Sequence, residues 1–449
     1  MLKHKISIFF LLVSQILFAQ NIKRCNTMDL VYQSISEDSR NLIDMDEIAT
    51  KNNKWIIEHT NESKSVITIP VVIHIVHKNT HANIGAGTNI SDAQIEDALR
   101  ILNEDFSKTN PEFPNPPRNT FTNLAADVQI QFCLASTDEN GNPTNGVTRT
   151  STTKSDWDPD TEANDMKRNN TGGKDGWDPE KYLNIWVCNL AVSPSGSFTI
   201  GYAYLPGSVT WSMWKDGLVV DFQYFGTIGA STAGNDGSTP THEIGHYLGL
   251  LHTFCDEVDA SGNPLCCDND DSNWGGYIDD TPASKDIYWG SVNSSTNNNT
   301  CNDVSYPNDF NTNVLDMDEN FMSYSADVWM FTQEQADVMI GTMNGYRSSL
   351  KNSSASVNCS GTVGFNNLLN DNQIKIYPNP TKGRVLVQNL MQISNNSIVI
   401  RNILGEIILT SDSKNSLTSL DLSHLENGVY FIEVSSNNGI RIEKVILAK

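Results

Sequence analysis

Thr239-Pro240-Thr241-His242-Glu243-Ile244-Gly245-His246-Tyr247-Leu248-Gly249-Leu250-Leu251-His252 is the stretch from which the rest of the chain is read. His242 and His246 are four apart, so on a helix they share one face, one turn from each other. Both imidazoles then reach one ion. Thr239 is a good N-cap, and Pro240 at the first helical position loses nothing by lacking an N–H. Gly249 marks the stop, because glycine enters the left-handed C′ conformation without steric penalty. The chain then reverses and brings His252 toward the same ion. Three imidazoles with an open fourth position describe a catalytic zinc site, since structural sites are closed. Glu243 follows the first histidine and is placed to act as base for a water whose pKa such an ion lowers from about 15.7 to about 7. The bland alternative is an amphipathic core helix with incidental histidines. HExxH alone leaves room for it, but the full HExxHxxGxxH spacing met here makes it a poor fit.

The 449 residues suffice for two or three domains. Hydrophobic residues make up 38% and charged residues 18%, a composition that folds. With 30 basic and 53 acidic residues the net charge is −23, which argues against nucleic acid and anionic membrane as partners. It suits a soluble secreted protein with carboxylate-rich loops able to hold calcium. Residues 1–20 carry Lys3 and Lys5, an apolar run over residues 6–18, then Ala19-Gln20. This is the pattern of a secretory signal peptide, and the run is too short to span a membrane comfortably. The sequence holds no other long apolar stretch. Export permits disulfides among the eight cysteines.

Residues 21–63 are polar and read as a prosegment, with a helix around residues 38–48 and the string Arg24-Cys25-Asn26-Thr27. Cys25 stands far from the other cysteines. A thiolate is a good zinc ligand, so Cys25 is a candidate to close the fourth position; a disulfide partner or an idle thiol is the alternative. Lys51, Lys54 and Lys64 are candidate activation sites. Residues 64–352 read as one α+β domain. Ile69-Pro70-Val71-Val72-Ile73-His74-Ile75-Val76-His77 is a strand whose histidines lack metal spacing. Ser91-Asp92-Ala93-Gln94 is a capping box opening a helix with Ile95, Leu99, Leu102 and Phe106 on its apolar stripe. Further strands fall at residues 128–133, 183–188, 201–205 and 218–225, giving a mixed sheet above the zinc helix. Cys133 and Cys188 either pair with each other or stay as buried thiols.

After His252 the chain is irregular to about Asp318, and a loop this long needs a staple or a function. It holds Cys255, Cys266, Cys267 and Cys301. The adjacent Cys266 and Cys267 are poorly placed to bond each other, so each is expected to take Cys255 or Cys301. Asp268, Asp270, Asp271, Asp279 and Asp280 offer hard oxygens for a calcium ion, or form a solvated acidic loop. Asn320-Phe321-Met322-Ser323-Tyr324 then precedes a helix capped by Thr332-Gln333-Glu334-Gln335, with Val338, Met339, Met343, Tyr346 and Leu350 on its apolar face. Residues 353–373, with Cys359, read as a linker. In residues 374–449, short strands at 374–380, 385–387, 398–400, 407–410, 429–434 and 444–447 are separated by turn residues such as Asn379-Pro380, Leu404-Gly405 and Asn427-Gly428. This is the pattern of a small β-sandwich.

Two regions resemble known families. Residues 64–350 are similar to the pappalysin family of metzincin proteases. The matching residues are those from Thr241 through His252-Thr253-Phe254, then Asp280-Thr281-Pro282, then Asn320-Phe321-Met322-Ser323-Tyr324. The resemblance implies a metzincin zinc-protease domain in which His242, His246 and His252 bind zinc and Glu243 is general base and acid. It implies that Met322 forms the turn beneath the metal and that Tyr324 helps stabilise the transition state. It also implies a cysteine switch at Arg24-Cys25-Asn26-Thr27, where Asn26 stands in place of the common glycine, and calcium near Asp279, Asp280 and Thr281 in a disulfide-stapled loop. Residues 374–449 resemble the C-terminal sorting domain of type IX secretion, through Tyr377-Pro378-Asn379-Pro380, the Gly405 turn, Asn427-Gly428-Val429-Tyr430 and the basic end. The expected protein is therefore a latent, exported zinc endopeptidase acting on proteins or peptides, with the type IX machinery as partner. It would cross the periplasm and outer membrane to be released or held at the cell surface. The rivals are a zinc hydrolase of a non-peptide amide or ester, and an adhesin with a dead protease fold. The intact histidines and Glu243 disfavour the adhesin.

Overall fold

In a computed structural model, residues 24–59, 65–113, 115–192, 198–255, 259–267, 278–305, 308, 310–359, 374–389, 396–402, 407–413, 417–436 and 439–449 are described. The expected signal peptide (residues 1–20), Lys64, Asp268, Asp270, Asp271 and the Leu404-Gly405 turn lie outside them.

The sheet is built around β1 (Ile67–Lys78), buried along nearly its whole length. Such continuous burial is typical of a parallel strand covered on both faces. On one edge β1 pairs in parallel with β4 (Leu183–Cys188). On the other edge β2 (Ile130–Ala135) flanks its first half and β3 (Val147–Thr152) its second. Beyond β4 come β6 (Leu218–Asp221), parallel, and then β5 (Gly201–Ala203), antiparallel at the edge.

Alternation along the strands divides the core. Ile69, Val71, Ile73, Ile75, Ile185 and Val187 face α3 (Asp92–Phe106), α4 (Thr239–Tyr247) and α5 (Gln333–Asn344). Val76, Trp186, Cys188 and Val219 face an irregular layer with Trp157, Met166 and Tyr204. Ser91 caps α3 by accepting the Gln94 N–H, and Thr332 makes a reciprocal capping box with Gln335 at the head of α5.

In the stretch expected to be a prosegment the chain forms two helices, α1 (Thr27–Glu37) and α2 (Arg40–His59). The expected helix at residues 38–48 is therefore only part of α2, and α1 went unnoticed. Val31 and Met45 pack with Leu205 and Leu251, which flank β5 and α4, and Asn52 Nδ2 donates to Thr342 Oγ1 of α5 at 2.9 Å. After α6 (Ser348–Lys351), the short β7 (Val357–Asn358) pairs antiparallel with β2. Cys359 then bonds Cys133, so the Cys133–Cys188 pairing is replaced and Cys188 remains a buried thiol. Through Cys359 the chain is thus tied to this sheet.

The C-terminal region has two antiparallel sheets. One runs β11 (Ile407–Ser413), β10 (Asn396–Asn402), β13 (Gly428–Ser436), β14 (Gly439–Leu447). The other runs β12 (Leu417–Asp421), β9 (Arg384–Asn389), β8 (Ile374–Tyr377). Val385, Val387 and Leu420 from one sheet meet Ile398, Ile400, Ile432 and Val445 from the other. β12, overlooked in the sequence, completes the smaller sheet. Among the described residues no helix is long and apolar enough to cross a membrane.

Candidate metal centre

All nine residues of α4 are buried. The helix begins at Thr239, one residue earlier than its reading as N-cap implied, and Ser238 leads in without a side-chain cap. Its end follows expectation. Gly249 has φ +102°, its N–H bonds His246 O at 2.9 Å, and the Leu250 N–H bonds Gly245 O at 2.9 Å. This pair of bonds is a Schellman motif, and it turns the chain so that His252 faces back. Arg347 holds the same helix end: Nε donates to Tyr247 O at 2.9 Å, while Nη1 and Nη2 form a two-pronged pair with Asp216 at 2.7 and 3.1 Å.

His242 Nδ1 is 2.7 Å from Phe321 O, and His246 Nδ1 is 2.8 Å from Leu250 O. Backbone carbonyls so placed fix the Nδ1–H tautomer and turn both Nε2 atoms inward as acceptors. His246 Nε2 and His252 Nε2 are 3.1 Å apart. Two ligands at about 2.0–2.1 Å from one tetrahedral zinc would lie at close to this spacing. His242 Nε2 is buried without a hydrogen-bond partner. One ligand atom each from Cys25, His242, His246 and His252 falls within 4.8 Å of the others. Burial pushes His242 down to about 3, and burial also lowers His246 well below the usual histidine range, so both rings stay neutral with lone pairs available. An orphaned nitrogen, neutral rings and a convergent sulfur fit a zinc ion.

Glu243 lies beside this cluster. Burial pushes its carboxyl up to about 8, against the pull of hydrogen bonds from Cys25 and Thr27. The floor is Met322: a Cβ on Gly245 would stand 2.4 Å from its Sδ, so glycine at 245 admits the methionine. Phe254 stacks on His252 with centroids 4.6 Å apart, and the Tyr324 ring lies 4.9 Å from His252. Tyr324 Oη accepts the Cys25 N–H at 3.1 Å.

Cys25 reaches the cluster because Arg24-Cys25-Asn26 runs alongside Gly201 in a parallel bridge, with the Ile200 N–H donating to Arg24 O at 2.8 Å. Arg24 also donates to Ser325 O at 3.2 Å and lies over the Trp289 ring. Asn26, in the place of a common glycine, is buried and donates to Pro159 O at 2.8 Å. A cavity of about 400 Å³ remains open beside Cys25, between Tyr224, Asp236, Glu243 and Tyr324.

Cys255 bonds Cys267, and Cys266 bonds Cys301, so the neighbours take separate partners as expected. Asp279 and Asp280, followed by Thr281, are bound to the head of α5 rather than counted in the histidine cluster. The Asp280 N–H donates to Glu334 Oε2 at 2.9 Å, and the Glu334 N–H donates to Asp280 Oδ2 at 3.1 Å. Burial and then Asp280 raise Glu334 to about 7. In the sequence Glu334 stands only as a capping-box residue, Arg347 carries no spacing signal, and Thr27 stands in the switch string without a role of its own.

Residues 165–344 match the peptidase family described as pregnancy-associated plasma protein-A, and residues 375–448 match the secretion system C-terminal sorting domain. Mature mirolysin of Tannerella forsythia, solved in complex with a cleaved peptide, is 34% identical, covering 64% of this chain and 97% of that one with a TM-score of 0.53. A promirolysin variant from the same organism is 30% identical over 73% of this chain and 97% of that one, with a TM-score of 0.58. An extracellular metalloprotease of Pyricularia oryzae is 30% identical over 49% of this chain and 58% of its own length. One from Neurospora crassa is 28% identical over 68% of this chain and 84% of its own. The chain belongs to the pappalysin family of zinc metalloendopeptidases, within the metzincins, and ends in a type IX sorting domain. It is a secreted or cell-surface protein.

Proposed function

We propose that the chain is made as a latent precursor and, once its prosegment leaves, hydrolyses peptide bonds with His242, His246 and His252 holding zinc. The observation that carries this reading is the convergence of three buried imidazoles and the Cys25 sulfur, with Glu243 beside them. Zinc bound there supplies Lewis acidity to the substrate carbonyl and to water. Glu243 accepts the proton of the attacking water at a carboxylate oxygen and returns it to the leaving amine nitrogen. Its raised pKa matches that double duty. Tyr324 Oη, released from the Cys25 N–H, donates toward the oxygen on which charge develops. Arg24 and Cys25 occupy the cleft, and their departure exposes Glu243 and Tyr324 together.

The proposed domains are a signal peptide to residue 20, a prosegment to 63, a catalytic region to 352, a linker to 373 and the sorting sandwich. Asp279, Asp280 and Thr281, with Glu334, form the proposed calcium site; a hard cation there would offset the burial and the like charge of Asp280 that raise Glu334.

The test is metal analysis of the purified protein together with casein cleavage, before and after prosegment removal and with and without chelator. Stoichiometric zinc, chelator-sensitive cleavage and a silent precursor are expected. Zinc with hydrolysis only of non-peptide esters or amides, or no hydrolysis at all, would overturn the peptidase reading.

A further inference from the structure

We propose that Thr27 is a second latch of the precursor, acting on Glu243 rather than on the histidine cluster. It rests on the latent-precursor reading and adds a residue to it. Thr27 opens α1 and is fully buried. Its hydroxyl oxygen accepts the Ala203 N–H at 3.0 Å, which pins it to the edge strand β5. It also lies 3.1 Å from Cys25 Sγ. A hydroxyl has one proton to give. With Cys25 Sγ as a thiolate ligand, that proton is shared between the sulfur and Glu243 Oε2, 3.4 Å away, and once the sulfur is removed Glu243 Oε2 is the acceptor that remains beside it.

The other carboxylate oxygen is confined as well. A Cβ on Gly201 would stand 2.8 Å from Glu243 Oε1, so that oxygen lies against the strand that pairs with Cys25. The base therefore has a donor on one oxygen and backbone against the other. A carboxylate already holding a donor is less able to take a proton from water. Cys25 Sγ adds a longer contact to Oε2, at 3.5 Å. Removing the cysteine side chain leaves the Thr27 contact in place, because the Ala203 N–H and the α1 backbone hold the hydroxyl independently.

Thr27 is thus a positioning residue of the latent state, and its hydroxyl carries the role. The experiment uses full-length precursors with Cys25→Ala alone, Cys25→Ala/Thr27→Val and Cys25→Ala/Thr27→Ser. Initial rates on a quenched fluorescent peptide are compared with the processed wild-type enzyme, while mass spectrometry confirms intact chains and equal bound zinc. Valine keeps the bulk and loses the hydroxyl; serine does the reverse. Cys25→Ala is expected to stay well below the processed enzyme. Adding Thr27→Val should raise kcat by about tenfold with little change in KM, the size expected for one hydrogen bond to a charged group. Adding Thr27→Ser should leave the rate where Cys25→Ala put it, with a melting temperature close to that of the valine variant. Thr27→Ala replaces valine should that chain fail to fold. The proposal is overturned where Cys25→Ala alone matches the processed enzyme, or where valine and serine raise kcat equally. A wild-type precursor as active as the processed enzyme would remove the latency reading and this latch with it.

Discussion

In the C-terminal sandwich the buried set is Val385, Val387, Ile398, Ile400, Leu420, Leu422, Tyr430, Ile432, Val434, Val445 and Leu447, and Thr381 is the single buried polar residue among those described. The catalytic region buries Glu243, three site histidines, Asp105, Asp216, Arg118, Glu319 and Arg347. Burying a polar or charged group costs stability unless it is paired. The sandwich avoids that cost and has only to fold and be recognised. The catalytic region accepts it and compensates with named partners: Arg347 with Asp216, Arg118 with Glu319, and backbone carbonyls for His242 and His246. The difference teaches that the chemistry of this chain lies where polar groups are buried, and that its sorting end is a packing problem.

Changes at the metal centre should have the largest effect. Stripping zinc with a chelator should abolish peptide cleavage and leave the melting of the sandwich unchanged, as followed by calorimetry; joint loss would mean that the two regions are not separate. Arg347→Ala should come next. It leaves Asp216 buried without its partner and frees the Tyr247 carbonyl, so chemical denaturation should show a loss of about 3–5 kcal/mol in the catalytic region, with reduced zinc retention. Ile400→Ala should cost the sandwich about 2–5 kcal/mol through the cavity it leaves, lower export of the protein and leave kcat of the processed enzyme as it was. An equal fall in kcat would break the comparison. Smallest is Gly245→Ala, which sets a Cβ against Met322 Sδ. Overpacking there should cost about 1–3 kcal/mol, read as a lower melting temperature with weaker zinc binding.

Much of the centre was legible because it is local. The spacing of His242 and His246, the Gly249 turn and the return of His252 all follow from helix geometry within one short stretch. The sheet strands were legible from apolar runs, although boundaries moved by a few residues. What stayed hidden depends on contacts far apart in sequence. Cys133 bonds Cys359 across a separation of 226 residues, and no pattern at either cysteine announces it. Arg347 reads as one more polar residue near a helix end until Tyr247 and Asp216 are seen beside it. Thr27 looked like part of a short motif, and its contact with Glu243 appears only once β5 has placed Ala203. The stapled loop gave its pairing rule, because adjacency of Cys266 and Cys267 is itself a local constraint. The helix start at Thr239 moved by one residue because the preceding backbone at Ser238 is already helical.

The central claim is that the histidines hold the metal while Glu243 handles the proton, and Glu243→Gln in the processed enzyme tests it most directly. Glutamine keeps the shape and loses the basic oxygen. Zinc content by mass spectrometry should remain that of wild type, while kcat for peptide hydrolysis falls by about 10²–10⁴-fold, the range for a positioned general base. A glutamine variant that keeps its zinc and cleaves at close to the wild-type rate would contradict the account.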